Sequence, residues 1–422
     1  MISTKVTPLM GWFDERFPVS SAWKEYLAEY YAPRNFNFWY LFGSLAILVL
    51  AMQIITGFLL TMHYKPDASL NVYGVPVAFA SIEYIMRDVP LGWLIRYVHS
   101  TGASAFFVVV YLHMFRSLLY GSHRKPRELI WILGMLMFLC LMSESFFGYL
   151  LPWGQMSYWG AQVIVNLFST IPYIGPDFSL WLRGDYVVGD STLTRFYAFH
   201  VIAVPAALVG LAAVHVVALH KIGSNNPDGI EIKKQIGSDG IPLDGIPFHP
   251  YYTIKDIVGV VTFLIIFSLI LFFAPTLGGY FLEYNNFLPA NPLKTPDHIA
   301  PVWYFTPYYS VLRAITYPLF GIEAKFWGVV GMVAAVMVFV LLPWLDRSPA
   351  KSIRYRGPIY KTFLAIFVLA FFTLGYLGML VPTPGRTLLA QFCTLIYFAF
   401  FLGMPIYTKL DKCKPEPERV TG

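Results

Sequence analysis

Long apolar stretches separated by short polar segments dominate the chain. Eight of these stretches are long enough to cross a bilayer as helices, which requires about 20 mainly apolar residues each. We place them at residues 38–63, 92–120, 129–151, 195–220, 254–274, 324–345, 360–380 and 386–410. The pattern therefore predicts an all-α, polytopic membrane protein with eight transmembrane helices.

Two of the predicted spans carry paired histidines. His99 and His113 lie 14 residues apart in the second span, and His200 and His215 lie 15 apart in the fourth. In an α-helix these spacings put the two rings of a span within roughly 40° to 60° of one face and about 21 Å apart along the axis. Ionisable side chains in hydrocarbon are costly and usually functional. We therefore expect one ring of each span to face inward near each membrane surface.

Two spans of this kind, packed side by side, bring four imidazoles together as two pairs. Zinc is a poor fit, because it takes a tetrahedral set of ligands that are usually closely spaced in sequence. An iron porphyrin needs only two axial ligands from the protein. We expect the first four spans to form a helix bundle that binds two haem b groups.

Glycines in the neighbouring spans support this interpretation. Gly43 and Gly57 lie 14 residues apart in the first span, and so do Gly134 and Gly148 in the third. A flat macrocycle between helices needs positions from which no side chain projects. Close packing between helices is the alternative reason for glycine at these positions.

Two arginines lie beside the histidines of the second span. Arg96 and Arg116 are each three residues from a histidine and near an end of the span. There they can pair with the propionate groups of haem. The alternative is that their side chains extend to the lipid headgroups.

Composition agrees with a membrane protein. Of the 422 residues, 57% are hydrophobic and only 13% are charged, far from the averages of soluble proteins. The net charge of +6 indicates basic cytoplasmic loops, and we expect no nucleic-acid partner. Three cysteines are too few for a disulfide framework, and without a Cys-x-x-Cys-His motif the chain cannot attach a c-type haem covalently.

The distribution of lysine and arginine predicts the orientation. Basic residues concentrate in the N-terminal segment, in the connections at residues 121–128, 221–253 and 346–361, and in the tail. The intervening connections contain few. Because basic connections stay in the cytoplasm, we expect both termini to be cytoplasmic. His113 and His215 then lie on the cytoplasmic side, and His99 and His200 on the outer side.

The chain divides into three parts. Residues 1–37 form an amphipathic cytoplasmic segment, although a solvated tail is an equal alternative for residues 1–10. Residues 38–220 form the di-haem four-helix bundle, with an amphipathic surface helix in the 152–194 loop. Residues 221–422 contain spans five to eight and the outer 275–323 loop, which carries Pro301-Val-Trp-Tyr304.

Several ordered motifs identify a family. They are Gln53-Ile-Ile-Thr-Gly57 with Met62-His-Tyr64, Gly148-Tyr-Leu-Leu-Pro-Trp-Gly-Gln-Met156, Gly223-Ser-Asn-Asn-Pro227, Phe248-His-Pro-Tyr-Tyr-Thr-Ile-Lys-Asp256 and Pro301-Val-Trp-Tyr304. Together with the four histidines, they resemble cytochrome b of the cytochrome bc1 complex, from about residue 34 to the last span. Eight spans in one chain are similar to the bc1 type, since the b6f type divides them between two chains.

The resemblance implies a Q-cycle in a bacterial inner membrane. Quinol is oxidised near the outer surface, and one electron passes to a Rieske iron–sulfur protein and then to cytochrome c1. The other crosses through a low-potential haem held by His99 and His200 and a high-potential haem held by His113 and His215. Quinone is reduced near the inner surface, which generates a proton gradient. The family also implies a homodimeric complex.

The resemblance implies two quinone pockets as well. The outer pocket would be lined by Phe147, Tyr149, Gly160, Ile164, Pro301, Val302, Tyr304 and Tyr309. The inner pocket would use Ser44, His220, Ser224, Lys255 and Asp256. His220 and Asp256 can bind and protonate a quinone carbonyl from opposite sides. Simple solvation of His220 and favourable charge near a helix N-terminus for Asp256 are the alternatives.

Two departures from the family pattern stand out. Well-studied members have a glutamate that accepts a quinol proton where this chain has Val302. Glu144, one turn from Gly148, is our candidate for that role, with a structural hydrogen bond as the alternative. The second departure is the 15-residue spacing from His200 to His215, which is 14 in the mitochondrial type. A kink at Pro205 can absorb the extra residue.

Two other functions fit part of the pattern. In a proton-coupled transporter, the histidines with Glu144 and Asp256 would relay protons, but transporters usually show two similar halves. The membrane anchor of a dehydrogenase would also bind two haems, although such anchors are shorter. A transporter predicts a colourless protein, whereas both haem interpretations predict a red one.

Overall fold

The computed structural model describes residues 8–23 and 30–421. The predicted amphipathic segment at residues 1–37 is therefore described only in part, and most of residues 1–10, for which a solvated tail was the alternative, lie outside the described residues. Within the described part of that segment, two short helices form, α1 (Pro8–Asp14) and α2 (Val19–Trp23).

The rest of the described chain is almost entirely helical. The helices are α3 (Leu41–Thr61), α4 (Val77–Arg87), α5 (Gly92–Tyr120), α6 (Glu128–Leu150), α7 (Gln155–Phe168), α8 (Gly175–Arg183), α9 (Asp190–Ala198), α10 (Val204–Ile222), α11 (Tyr251–Phe273), α12 (Thr306–Ala314), α13 (Ala324–Met337), α14 (Leu342–Leu345), α15 (Pro358–Met379), α16 (Pro384–Leu402) and α17 (Met404–Leu410). A π-helical turn, Phe199–Ala203, joins α9 to α10. Short 3₁₀ helices cover Phe38–Tyr40, Ile232–Lys234, Leu277–Gly279, Tyr284–Phe287 and Trp303–Phe305. The strands β1 (Tyr31–Pro33) and β2 (Gly245–Pro247) pair antiparallel.

Seven helices of the described chain are long and apolar enough to cross a membrane. They are Phe38–Thr61, Gly92–Tyr120, Glu128–Leu150, Asp190–Ile222, Tyr251–Phe273, Pro358–Met379 and Pro384–Leu402. These helices coincide with seven of the eight predicted spans. The prediction of an all-α membrane protein is confirmed. The remaining predicted span is not one continuous α-helix.

That span, residues 324–345, is divided between α13 and α14. The backbone between them is wound tightly, with hydrogen bonds such as Val340 N to Met337 O at 3.0 Å. Three-residue winding rises about 2.0 Å per residue against 1.5 Å in an α-helix, so the whole segment extends roughly 35 Å, which exceeds the ~30 Å of a hydrocarbon core. Trp131 Nε1 donates a 2.7 Å hydrogen bond to the Phe339 carbonyl, which satisfies an acceptor in this irregular stretch.

The spans form two packed groups. In the N-terminal group α3 packs against α5, and α6 packs against α10. In the C-terminal group α12, α13, α15 and α16 pack together. A continuous apolar core extends from Trp131 through Tyr304 to Tyr360 and links the two groups. Helix α7 lies where the sequence predicted a surface helix in the 152–194 loop.

A buried polar cluster ties together connections that the sequence assigned to the cytoplasmic side. Asp346 accepts hydrogen bonds from Arg356 at 2.5 Å and from His123 at 3.1 Å, and all three side chains are buried. Burial opposes ionisation of Asp346, but the Arg356 charge and the His123 hydrogen bond outweigh it and hold the Asp346 pKa below its usual range. Burial also lowers the pKa of His123, which favours the neutral ring. The cluster fixes the turn between α5 and α6 against the connection that follows α14.

Candidate functional site

Each predicted ligand histidine faces one of the predicted glycines on a neighbouring helix. A Cβ atom added to the glycine would lie 3.3 Å from His113 Cε1 at Gly43, 3.1 Å from His99 Cε1 at Gly57, 3.5 Å from His215 Cε1 at Gly134 and 2.8 Å from His200 Nδ1 at Gly148. The two glycines of α3 lie next to the histidines of α5, and the two glycines of α6 lie next to the histidines of the fourth span. Glycine therefore makes room for the imidazole at Gly43, Gly57 and Gly148, whereas a Cβ at Gly134 would make an ordinary contact.

The two outer histidines have the geometry of a metal-ligating pair. The ring centroids of His99 and His200 lie 6.0 Å apart, and the ring planes are perpendicular. Two imidazoles bound to one metal at about 2 Å each have centroids roughly 6 Å apart. The distance between these rings therefore suits one iron.

The second ring nitrogen of each outer histidine already has a partner. His99 Nδ1 lies 3.0 Å from Thr56 Oγ1, and His200 Nδ1 lies 3.0 Å from the Glu144 carbonyl oxygen and 2.9 Å from Glu144 Oε1. Metal-binding histidines characteristically use one nitrogen for the metal and the other for such a hydrogen bond. This arrangement leaves Nε2 of each ring as the ligand atom.

The inner histidines form a second pair in the other half of the bundle. His113 and His215 lie within electrostatic range of one another. Gly43 and Gly134 lie beside them on α3 and α6, in the positions that Gly57 and Gly148 take in the outer half. A pair of histidines with two adjacent glycines therefore occurs twice, once in each half of the bundle.

The extra residue between His200 and His215 is absorbed by the π-helical turn. Phe199–Ala203 is wound with five-residue hydrogen bonds, and α10 begins immediately afterwards with Pro205 in its first turn. A π-turn accommodates one residue more than an α-turn. The irregularity expected at Pro205 is therefore present just before it, and both histidines face their glycines despite the longer spacing.

The two arginines beside the histidines have no carboxylate partner among residues 8–23 and 30–421. Arg116 lies over the Tyr40 ring, 4.9 Å from its centroid, and its buried Nε atom makes no hydrogen bond with the described residues. Arg96 likewise makes no ion pair there. A guanidinium within a span calls for an anion, and the described residues supply none, which fits the propionates of a bound haem.

Two tyrosines of the predicted outer pocket are held by specific contacts. Tyr304 is buried, shares a very short hydrogen bond with Ser145 and stacks on Phe107 at a centroid distance of 3.8 Å. Tyr149 donates a very short hydrogen bond to Glu283 Oε2. Glu283 was not among the residues that the sequence indicated, since nothing in its local pattern marks it.

The other outer-pocket residues are distributed around these tyrosines. A Cβ atom on Gly160 would lie 3.8 Å from Tyr149 Cε1, so that α7 passes close to the tyrosine ring. Phe147 stacks on Phe199 at 5.1 Å. Val302 is buried in the same apolar core as Tyr304. The remaining predicted residues are half-buried Pro301, Ile164 and Tyr309, the last packed against the Arg313 guanidinium at 4.8 Å.

The predicted inner-pocket residues fall into two neighbouring groups. In the first, His220 stacks on Tyr30 at 4.6 Å, and the Tyr30 hydroxyl lies 3.0 Å from Ser224 Oγ. In the second, Ser44 lies beside Asp256.

Tyr252 connects the two groups. Lys255 lies over the Tyr252 ring, 5.0 Å from its centroid. Tyr252 belongs to the same apolar cluster as Tyr30. Tyr30 is a further contributor that sequence reasoning missed, because it precedes the first span and belongs to none of the motifs.

Glu144 makes a structural hydrogen bond, which was the alternative to a role as proton acceptor. Its carboxylate lies 2.9 Å from His200 Nδ1, one turn from Gly148 on the same face of α6. The hydrogen bond fixes the orientation of His200, a predicted ligand. Acceptance of a quinol proton by Glu144 stays a prediction.

An all-α membrane bundle with paired, glycine-framed histidines defines the class of membrane-embedded cytochromes. Residues 27–223 match the family model described as Cytochrome b/b6/petB, and residues 289–398 match the one described as Cytochrome b(C-terminal)/b6/petD. The chain belongs to the cytochrome b family, as its motifs indicated. Cytochrome b is a core subunit of complex III, the quinol:cytochrome c oxidoreductase.

The similarity to relatives extends over the whole chain. Cytochrome b of Allochromatium vinosum is 60% identical over 425 residues, which cover 100% of both chains. The cytochrome b/c1 protein of Bradyrhizobium diazoefficiens is 42% identical over 98% of this chain and 57% of its own length. A solved structure titled Hyperthermophilic respiratory Complex III superposes with a TM-score of 0.84 at 39% identity, covering 95% of this chain and 98% of that one.

Proposed function

We propose that this chain is the di-haem subunit that oxidises quinol near the outer membrane surface and reduces quinone near the inner surface. The observation that carries the proposal is the fourfold matching of histidines with glycines on neighbouring helices. When bound, two haem b groups would supply one-electron carriers between the two pockets. A proton-coupled transporter would not require a glycine beside each of four histidines.

In this proposal His99 and His200 hold the low-potential haem, and His113 and His215 hold the high-potential haem. Thr56 and Glu144 orient the outer pair through their Nδ1 contacts. Fixed rings keep both ligand atoms on a common axis, which is how outer contacts of this kind tune a metal site.

Arg96 and Arg116 neutralise the haem propionates. Their guanidinium groups lie in a span without an ion-pair partner from the described chain. Pairing with propionates would remove the cost of an isolated charge in the bundle.

In the outer pocket Tyr149 and Tyr304 contribute hydroxyl groups beside an apolar lining. The lining comprises Phe147, Gly160, Ile164, Pro301, Val302 and Tyr309. Both tyrosines are fixed by short hydrogen bonds, so they present a defined surface to quinol. Preorganised polar groups in an apolar pocket favour one orientation of the substrate.

In the inner pocket His220 and Asp256 would hold the quinone carbonyls and deliver protons. Ser44 lies beside Asp256 in this pocket. Ser224 and Lys255 complete the lining. Protonation of the reduced quinone on this side and release of protons on the other would generate the proton gradient.

The chain would work only within a complex in a bacterial inner membrane, with both termini cytoplasmic. Quinol oxidation requires a Rieske iron–sulfur protein and cytochrome c1 as electron acceptors, and we infer a homodimer of that complex. The organisation would be an N-terminal segment at residues 1–37, the di-haem bundle at 38–220 and a C-terminal part at 221–422. The structural neighbour titled respiratory Complex III supports this assembly.

The decisive test is haem stoichiometry with single ligand substitutions. The purified protein should show two b haems per chain in a dithionite-minus-ascorbate difference spectrum with haem extraction. His99→Leu should lose the low-potential haem and retain the other, whereas His113→Leu should lose the high-potential haem. A correctly folded wild-type protein without haem would refute the proposal.

A further inference from the structure

Oxidation of quinol to quinone releases two protons together with two electrons, so the outer pocket needs a group that accepts protons. Val302 cannot do so, because its side chain is aliphatic and buried. The tyrosine hydroxyls are poor acceptors unless a stronger base withdraws their own proton. A carboxylate in contact with the outer pocket could accept these protons.

Glu283 meets that requirement. Its Oε2 atom accepts the hydrogen bond from Tyr149, although the two residues lie 134 positions apart in the chain. The ring of Tyr149 in turn lies against α7 at Gly160. Glu283 also exerts an electrostatic influence on Tyr304, the second hydroxyl of the pocket.

The loop that carries Glu283 is fixed to the end of α6 and the start of α7. Asn286 Oδ1 accepts from the Ser157 backbone N–H at 2.8 Å, and Asn286 Nδ2 donates to Ser157 Oγ at 2.9 Å. Gln155 N donates to the Leu288 carbonyl at 2.9 Å. These bonds follow Glu283 closely in the chain, and they fix the loop that carries its carboxylate beside Tyr149.

Glu144, the other carboxylate near this half of the bundle, has a different partner. Its Oε1 atom lies 2.9 Å from Nδ1 of His200, a proposed iron ligand. Protonation of Glu144 would disturb that contact at each turnover. Glu283 touches no ligand histidine, so it can gain and lose a proton without this consequence.

We propose that Glu283 accepts the proton that leaves quinol in the outer pocket, by way of the Tyr149 hydroxyl. The quinol O–H bond breaks and a new O–H bond forms at the Tyr149 oxygen, while the proton that Tyr149 held moves to Oε2 of Glu283. No electron moves in this step, and the electrons leave for the acceptors of the proposed function. The inference rests on the proposed function, and it assigns to Glu283 the proton-accepting role that Val302 cannot perform.

The environment of Glu283 suits a base. Burial raises the pKa of Glu283 above its ordinary value and outweighs the Tyr149 hydrogen bond, which lowers it. The Tyr149 hydroxyl acts on Glu283, and Glu283 in turn acts on the hydroxyls of Tyr149 and Tyr304. A carboxylate with a raised pKa is a more effective acceptor near neutral pH. The oxidation rate should therefore fall as the pH drops through the pKa of Glu283.

The experiment compares Glu283→Gln, Glu283→Asp and Glu144→Gln in the whole complex, in bacterial membranes. Glu323→Gln is the matched control, since Glu323 is an exposed glutamate of the same outer connection. Cytochrome c reduction by decyl-ubiquinol is measured against pH, with haem content measured in parallel. We expect Glu283→Gln to keep both haems, to lower kcat by about 100-fold and to abolish the acidic limb of the pH profile.

The remaining variants decide between explanations. Partial recovery of rate in Glu283→Asp, with a shifted pH midpoint, supports the role, and Glu323→Gln should behave as wild type. Wild-type rate and pH profile in Glu283→Gln would overturn the inference, as would loss of the acidic limb in Glu144→Gln alone. If Glu283→Gln fails to assemble, an unshifted midpoint in Glu283→Asp would overturn it. Failure of the proposed function is distinguishable, because the wild-type complex itself would then lack quinol oxidation.

Discussion

Replacement of Gly148 by alanine tests the glycine–histidine matching most directly. The added Cβ would come closest to Cε1 of His200 and would lie 2.8 Å from Nδ1 and 3.0 Å from Nε2. Such atoms normally stay about 3.5 Å apart or more, so the ring has to move by about 1 Å. In the proposed site the ring is held by iron and by Glu144, which restricts this movement. Overpacking of this kind costs about 1–3 kcal/mol, which corresponds to roughly 5- to 150-fold weaker haem binding.

The same helix provides the control. A Cβ at Gly134 would lie 3.5 Å from His215 Cε1, an ordinary contact, so Gly134→Ala should retain its haem. Gly43→Ala and Gly57→Ala, with distances of 3.3 Å and 3.1 Å, should fall between the two. The assay is haem stoichiometry during titration with a competing apo-haem acceptor. Equal retention of both haems in Gly148→Ala and Gly134→Ala would refute the reasoning.

Three further predictions follow from described contacts. Glu144→Gln should raise the midpoint potential of the haem on His200 by roughly 40 mV in a redox titration, since loss of a charged partner worth about 1 kcal/mol makes the ligand less basic. Acidification from about pH 8 to about pH 5 should lower the thermal stability of the purified protein, because buried His123, whose pKa is lowered, stays neutral while the unfolded chain binds a proton. His123→Asn should flatten that dependence, although it also weakens the contact with Asp346. Tyr30→Phe, which keeps its ring but loses the Ser224 hydrogen bond, should weaken quinone binding at the inner pocket by about 1 kcal/mol in a binding titration.

The alignment of the histidines with the glycines could be predicted from the sequence because it depends on spacing within helices. Once a span is helical, 14 residues place two side chains on nearly one face, as His99 and His113 show, and glycines at the same spacing follow the same geometry. The reason for the glycines needed the structure, since they adjoin the imidazoles directly. The fold class was predictable for a similar reason, because apolar length decides whether a helix can cross a bilayer.

Contacts between loops and spans could not be predicted in this way. The hydrogen bond from Tyr149 to Glu283 and the stacking of Tyr30 on His220 join distant positions through irregular backbone. No periodic pattern relates such residues. The tight winding that lengthens the 324–345 span escaped prediction too, because an apolar run has the same hydropathy in either type of helix.

The π-helical turn at Phe199–Ala203 makes the fourth span unusually tolerant of a shortened chain. Deleting one residue from a regular helix rotates everything beyond it by about 100° and would misalign any buried site. Deleting Ile202 instead converts the wide turn into an ordinary one and leaves the faces on either side in place. The π-helical turn therefore lets the chain gain or lose one residue between His200 and His215 in evolution, while both helix faces keep their orientation in the bundle.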